Sequence, residues 1–98
     1  MDRYKRNIKQ IEDAGKCPLQ YFLDKTNDEC DELKEMCDFA LEDGKEFFLK
    51  HWEKNLYGEI ADVLNCINYL KILFGLDEDR ISRVQVEKVD RGYERGLE

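Results

Sequence analysis

The sequence predicts an all-α domain, on three observations. Residues that favour strands are scarce: Thr occurs once and Val four times among 98 residues. The single Pro and six Gly leave little room for long loops or a second unit, so residues 1–98 read as one domain. The third observation is periodicity. Leu56, Ile60, Val63, Ile67, Leu70 and Phe74 follow spacings of 4, 3, 4, 3 and 4, the stripe of a helix with a buried face.

Taken in order, four to five helices follow. Tyr4, Ile8 and Ile11 give a weakly amphipathic helix over Asp2–Ala14, ended by Gly15. Cys17-Pro18 is a break, and Pro18 opens a short helical turn reaching Leu23. Thr26, Asn27 or Asp28 caps the next helix, which runs to about Leu41 and stops near Gly44. Glu46–Trp52 reads as a short aromatic connection or helical turn. The central helix spans about Lys54–Phe74 and ends at Gly75. A last helix, capped by Asp77 or Asp79, covers about Glu78–Tyr93. The central helix carries a second stripe, Tyr57, Ala61, Leu64 and Ile72, so it must be covered from more than one side. Sister helices or a partner subunit meet that need. A domain of this size buries only about 60% of its unfolded surface, and oligomerisation is the usual remedy.

Composition excludes several classes. No apolar run approaches the roughly 20 residues of a membrane span, and nothing reads as a signal peptide, which places the chain in the cytoplasm. The net charge is −7, with 23 acidic and 16 basic residues, the wrong balance for gripping a nucleic-acid backbone. A divalent cation is a more natural guest. Four cysteines, Cys17, Cys30, Cys37 and Cys66, form no C-x-x-C pair, and His51 is the only histidine, which argues against structural zinc. Cys30 and Cys37 stand about 10 Å apart along a helix, too far for a disulfide. Buried reduced thiols are expected.

Seven acidic pairs stand three residues apart, a number that random placement of 23 acids nearly reaches, so position must decide among them. Glu59 and Asp62 continue by helical steps into Cys66, Tyr69 and Leu73; Glu29 and Glu32 continue into Met36 and Phe39. Each helix therefore carries two carboxylates one turn apart leading into an apolar stripe. The competing pair Glu32/Glu35 rotates back toward Glu42 and water. Helices packed through these stripes bring four carboxylates together, at about 4 kcal/mol per like-charged pair at 4 Å and an effective dielectric near 20. Protons or cations must neutralise such a cluster. Oxygen ligands without His or Cys select Mg²⁺ or Mn²⁺. Two unrelated solvated edges are the competing reading.

These residues carry a resemblance. Asp28-Glu29-Cys30-Asp31-Glu32-Leu33 resembles the E-E-x-x-E motif of MazG-like nucleotide pyrophosphohydrolases, and Glu59-Ile60-Ala61-Asp62-Val63-Leu64 resembles their E-x-x-D motif. Tyr69–Gly75 and the charged run Glu87–Arg91 are similar as well, so the likeness covers roughly Thr26–Arg95. It implies an all-α MazG-like helical bundle assembling as a homodimer or homotetramer. The implied reaction is Mg²⁺-dependent hydrolysis of a nucleoside triphosphate, NTP or dNTP, to the monophosphate and pyrophosphate. Carried over, Glu29, Glu32, Glu59 and Asp62 become metal ligands, with Glu29 or Glu32 accepting the proton of an attacking water. Asp28 departs from the pattern, which usually has Glu there. The segment before Thr26 has no clear match.

Further residues are candidates for substrate contacts. Lys88, Arg91 and Arg95 share one face of the last helix; they suit phosphate binding, or serve as ordinary cations near a helix C-terminus. Trp52 either stacks on a base or packs in a core or interface. Asn65, one turn beyond Asp62, touches a sugar hydroxyl or bonds locally. The alternative to an enzyme is a non-catalytic helical interaction or nucleotide-binding module with solvated acids.

Overall fold

Helices account for nearly all of the computed structural model, which describes residues 2–96. Four are present: α1 (Asp2–Asp13), α2 (Pro18–Asp43), α3 (Lys45–Phe74) and α4 (Glu78–Glu94), with no strand among the described residues. None of the helices is long and apolar enough to cross a membrane.

Helices α2 and α3 are longer than the sequence alone suggests. Pro18 occupies the first turn of α2, where its missing N–H costs nothing. The expected new start near Thr26 does not occur. Thr26 Oγ1 donates to the Phe22 carbonyl at 2.5 Å, one turn back, so its hydroxyl is engaged within a continuous helix. The aromatic segment Glu46–Trp52 is the beginning of α3, anchored by Phe48, which is buried. A single residue, Gly44, therefore joins the two longest helices, ending α2 and opening α3 with φ 89° and ψ 141°. A side chain is strained at that φ, which suits glycine. Gly75 ends α3 in the left-handed conformation, its N–H bonding the Ile72 and Lys71 carbonyls. Asp77 caps α4, its side chain accepting from the Asp79 N–H at 3.0 Å.

α2 folds back along α3, and α1 lies across the open end of that hairpin. The core sits there. Ile8, Phe22 and Tyr69 are buried together, with Tyr4, Ile11, Tyr21, Leu70, Ile72 and Leu73 packed around them. The Phe22 ring stacks on Tyr69 at 4.0 Å between centroids, and Tyr4 meets Tyr69 edge-on at 4.8 Å. Asn7 Nδ2 donates to the Tyr69 hydroxyl at 2.6 Å, satisfying the polar end of a buried ring.

The stripe expected to form the core of α3 divides. Leu56, Val63 and Leu70 are half-buried, while Ile60, Ile67 and Phe74 are exposed. The buried positions are instead Phe48, Cys66 and Tyr69, on the side that meets α1 and α2. Of the four cysteines only Cys66 is buried, which corrects the expectation for Cys17, Cys30 and Cys37. Among the described residues α4 packs against none of α1, α2 or α3, and its link to α3 is an ion pair between Lys71 and Glu78 at 3.0 Å.

Candidate metal centre

The hairpin brings carboxylates from two helices to one place. Oxygens of Glu29 on α2 and of Glu59 and Asp62 on α3 lie within 4.8 Å of one another. Glu29 and Glu59 are half-buried, and Asp62 lies at the open edge. Helical spacing accounts for the α3 pair, since residues three apart share a face. Antiparallel packing supplies Glu29. Glu32, one turn on from Glu29, is exposed and lies outside that tight group, yet near enough to act on both glutamates.

Electrostatics mark the cluster as short of positive charge. Desolvation raises the Glu29 carboxyl above its ordinary value of 4.5, and the charges of Glu32 and Asp62 and hydrogen bonding with Glu32 raise it further. Lys25, 3.9 Å from Glu29 Oε1, pulls the other way. Glu59 is raised by the same sequence of causes: desolvation, then Glu32 and Asp62. Oε2 of Glu29 and Oε2 of Glu59 are shielded from solvent and accept no hydrogen bond. Shielding is confined to the ends of these side chains, which explains why the whole residues remain partly accessible. Buried carboxylate oxygens without a donor are costly unless a proton or cation satisfies them. The donor set is entirely oxygen, so the residues fit a hard divalent cation such as Mg²⁺ or Mn²⁺.

Around this centre the structure places the remaining candidates unequally. Asn65 Oδ1 accepts a hydrogen bond from the Tyr4 hydroxyl at 2.6 Å, and Asn68 Nδ2 donates to that hydroxyl at 3.1 Å, tying α1 to the face beside Asp62. Trp52 is 46% exposed and lines a cleft with Met36, Phe39 and Asp43, two helical turns from Glu59. Phe39 and Met36 continue the Glu29/Glu32 face, so cleft and carboxylates share one side of the hairpin. Lys88, Arg91 and Arg95 are exposed on α4, and Lys88 lines a groove with Arg80, Ile81 and Val84. Because α4 packs along none of the other helices among the described residues and touches α3 through the Lys71–Glu78 ion pair, these cations are not brought to the carboxylates within one chain.

Lys25 and Tyr4 escape sequence reasoning, whereas Cys66 is buried on the face that the spacing of Glu59 and Asp62 gives it. Lys25 pairs with Glu29 from one turn earlier, a spacing that pattern alone offers in many places. Cys66 is buried beside the carboxylates, and burial pushes its thiol up while Thr26 lowers it. Tyr4 reaches Asn65 from 61 residues away, a tertiary contact with no local signal. Comparison with protein-family models, with curated proteins and with solved structures finds no match for this chain.

Proposed function

We propose that the chain is a magnesium-dependent nucleoside triphosphate pyrophosphohydrolase of the MazG-like kind, releasing pyrophosphate and the monophosphate in the cytoplasm and so controlling a nucleotide pool. One observation carries this reading: carboxylate oxygens of Glu29, Glu59 and Asp62 gathered within 4.8 Å, two of the residues presenting a shielded, partnerless oxygen. The two short motifs that supply these residues support it from the sequence.

In this reading Glu29, Glu59 and Asp62 hold the cation, Mg²⁺ or in its place Mn²⁺, with Glu32 at the margin. The cation supplies Lewis acidity toward phosphate oxygens and lowers the pKa of a bound water. Glu32 is exposed and stands at the edge of the tight group beside Glu29 and Glu59, and its carboxylate is the one assigned to accept a proton from the attacking water. Trp52 and Phe39 offer faces on which a base stacks, and Asn65 is positioned for a sugar hydroxyl once released from Tyr4. Lys88, Arg91 and Arg95 serve the phosphates only if α4 approaches a site, as it would in a homodimer or homotetramer.

Pyrophosphate release from a panel of NTPs and dNTPs, with Mg²⁺ and with EDTA, tests the proposal. Metal-dependent release that disappears in Glu59→Gln is expected. No release from any nucleotide, together with no response of the melting temperature to Mg²⁺, would overturn it. That outcome would favour the second reading, a non-catalytic helical interaction module, for which the uncovered apolar surface of α3 and α4 speaks.

A further inference from the structure

The cleft between the two arms of the hairpin has a lining that selects its occupant. Met36, Phe39 and Asp43 follow helical spacings of 3 and 4 on α2, and Trp52 joins them from α3, bounding about 290 Å³. That is close to the lower bound of small-molecule pockets, about 300 Å³, and suits one flat ring system better than a whole nucleotide. Three of the four lining side chains are apolar. Two of those are aromatic and left about half exposed, Phe39 at 53% and Trp52 at 46%. The fourth is a carboxylate, which accepts hydrogen bonds through two oxygens and donates none. The cleft therefore fits a planar ring that stacks on an aromatic face and turns donors toward Asp43.

Order along the hairpin sets the direction of that ring. Trp52 and Met36 stand seven residues from Glu59 and Glu29, about 10 Å along each helix. Asp43 lies seven residues beyond Met36, beside Gly44, at the end remote from the carboxylates. With phosphates at the carboxylates and a base on Trp52, the sugar-bearing side of the base points toward Glu59. The opposite, Watson–Crick edge then points toward Asp43. Guanine alone among the common bases satisfies a carboxylate with that edge: its ring N1–H and exocyclic amino group are adjacent donors that match the two oxygens. Adenine and cytosine each set an amino group beside a ring nitrogen that accepts. Uracil and thymine flank one N–H with two carbonyls. Each of these four turns a lone pair toward Asp43, which the carboxylate repels.

We propose that Asp43 makes the chain selective for guanine nucleotides, its carboxylate accepting from N1–H and the amino group of a guanine stacked on Trp52. The inference rests on the nucleotide-hydrolase reading and adds to it the base that the site takes.

Trp52 is the only tryptophan, so its fluorescence reports stacking directly. Titration of the full chain in Mg²⁺ with α,β-methylene triphosphates of guanosine, inosine, adenosine and uridine tests the proposal without turnover, because the bond to be cleaved is blocked. The expected result is quenching by the guanosine analogue, with a dissociation constant at least about tenfold below the other three, a factor that one charge-assisted hydrogen bond supplies. Inosine is the sharpest comparison, since it lacks only the amino group, and it needs no variant. Asp43→Asn should cancel the guanosine advantage and improve adenosine binding, because an amide both accepts and donates. Equal affinity for the guanosine and inosine analogues overturns the proposal. So does a guanosine advantage that survives in Asp43→Asn, or no quenching by any analogue. Pyrophosphate release from the unmodified triphosphates keeps the two readings apart. Metal-dependent release without a guanine preference leaves the hydrolase standing and removes Asp43 from base selection; guanine-selective quenching without release does the reverse.

Discussion

Glu29 and Glu59 face one another from antiparallel helices, each with its Oε2 shielded from solvent and accepting no hydrogen bond. Two such oxygens beside Asp62 store unfavourable electrostatic energy that a cation relieves. Millimolar Mg²⁺ is therefore expected to raise the melting temperature, by linkage worth about 2.7 kcal/mol once the free ion reaches 100 times its dissociation constant. Glu59→Gln should abolish that response and, without metal, melt no lower than wild type. A variant that keeps the full Mg²⁺ response would remove Glu59 from the centre.

Acidity offers a second test. The folded-state carboxyls of Glu29 and Glu59 titrate above 4.5, their ordinary value, chiefly because of desolvation. The folded chain thus holds protons that the unfolded chain has released, and the sign follows. These two groups contribute most to stability below about pH 4.5, and their contribution is lost as pH rises through their raised folded values. Urea midpoints measured in EDTA should fall over that window in wild type and fall less in the Glu29→Gln/Glu59→Gln double variant. Saturating Mg²⁺ should flatten the slope over that same window.

Glu32 separates catalysis from metal holding. Glu32→Gln is expected to keep most of the Mg²⁺-induced stabilisation while cutting pyrophosphate release by about 100-fold, the low end of what a general base supplies. Asp62→Asn should lose both together. Equal loss of both properties in Glu32→Gln would make it a ligand instead.

Phe22 is 3% exposed and stacked on Tyr69 where α1, α2 and α3 meet. Phe22→Ala should cost about 3 kcal/mol, seen as a lower urea midpoint by circular dichroism. Tyr69→Phe should cost about 1 kcal/mol, because it leaves Asn7 without its partner.

Thiol reactivity reads out the packing beside the carboxylates. Cys66 is buried and its thiol is pushed up, while Cys17 is exposed. Under native conditions an uncharged thiol reagent should label Cys17 quickly and Cys66 last, with Cys66 reacting only as the hairpin opens.

Helix type and the two acidic turns were legible because both depend on local spacing: Glu59 and Asp62 share a face whatever surrounds them. Helix ends near Gly15, Gly44 and Gly75 were legible for a similar reason, since a positive φ is a local demand that glycine meets. Continuity was harder to read. Thr26 suggests a cap in sequence, but bonding one turn back is equally open to its hydroxyl, and Pro18 at a helix start lets α2 run on without a break. Which half of an all-round apolar helix faces inward is a tertiary decision, so Ile60 and Ile67 looked like core beside Leu56 and Val63. The packing of α2 along α3, and of α1 across their open end through Tyr4, Ile8 and Tyr69, decides which side of α3 the chain itself covers.

Gly44 has one further consequence. Glu29 and Glu59 each stand fifteen residues from it, one on either arm. At 1.5 Å per residue both lie about 22 Å from the bend, and that equality is what sets them level. The hairpin thus works as a pair of calipers whose legs must match. Deleting one residue between Cys30 and Gly44 would slide Glu29 by about 1.5 Å and swing it by about 100° around its helix, away from Glu59. Surface substitutions along these arms are cheap by comparison.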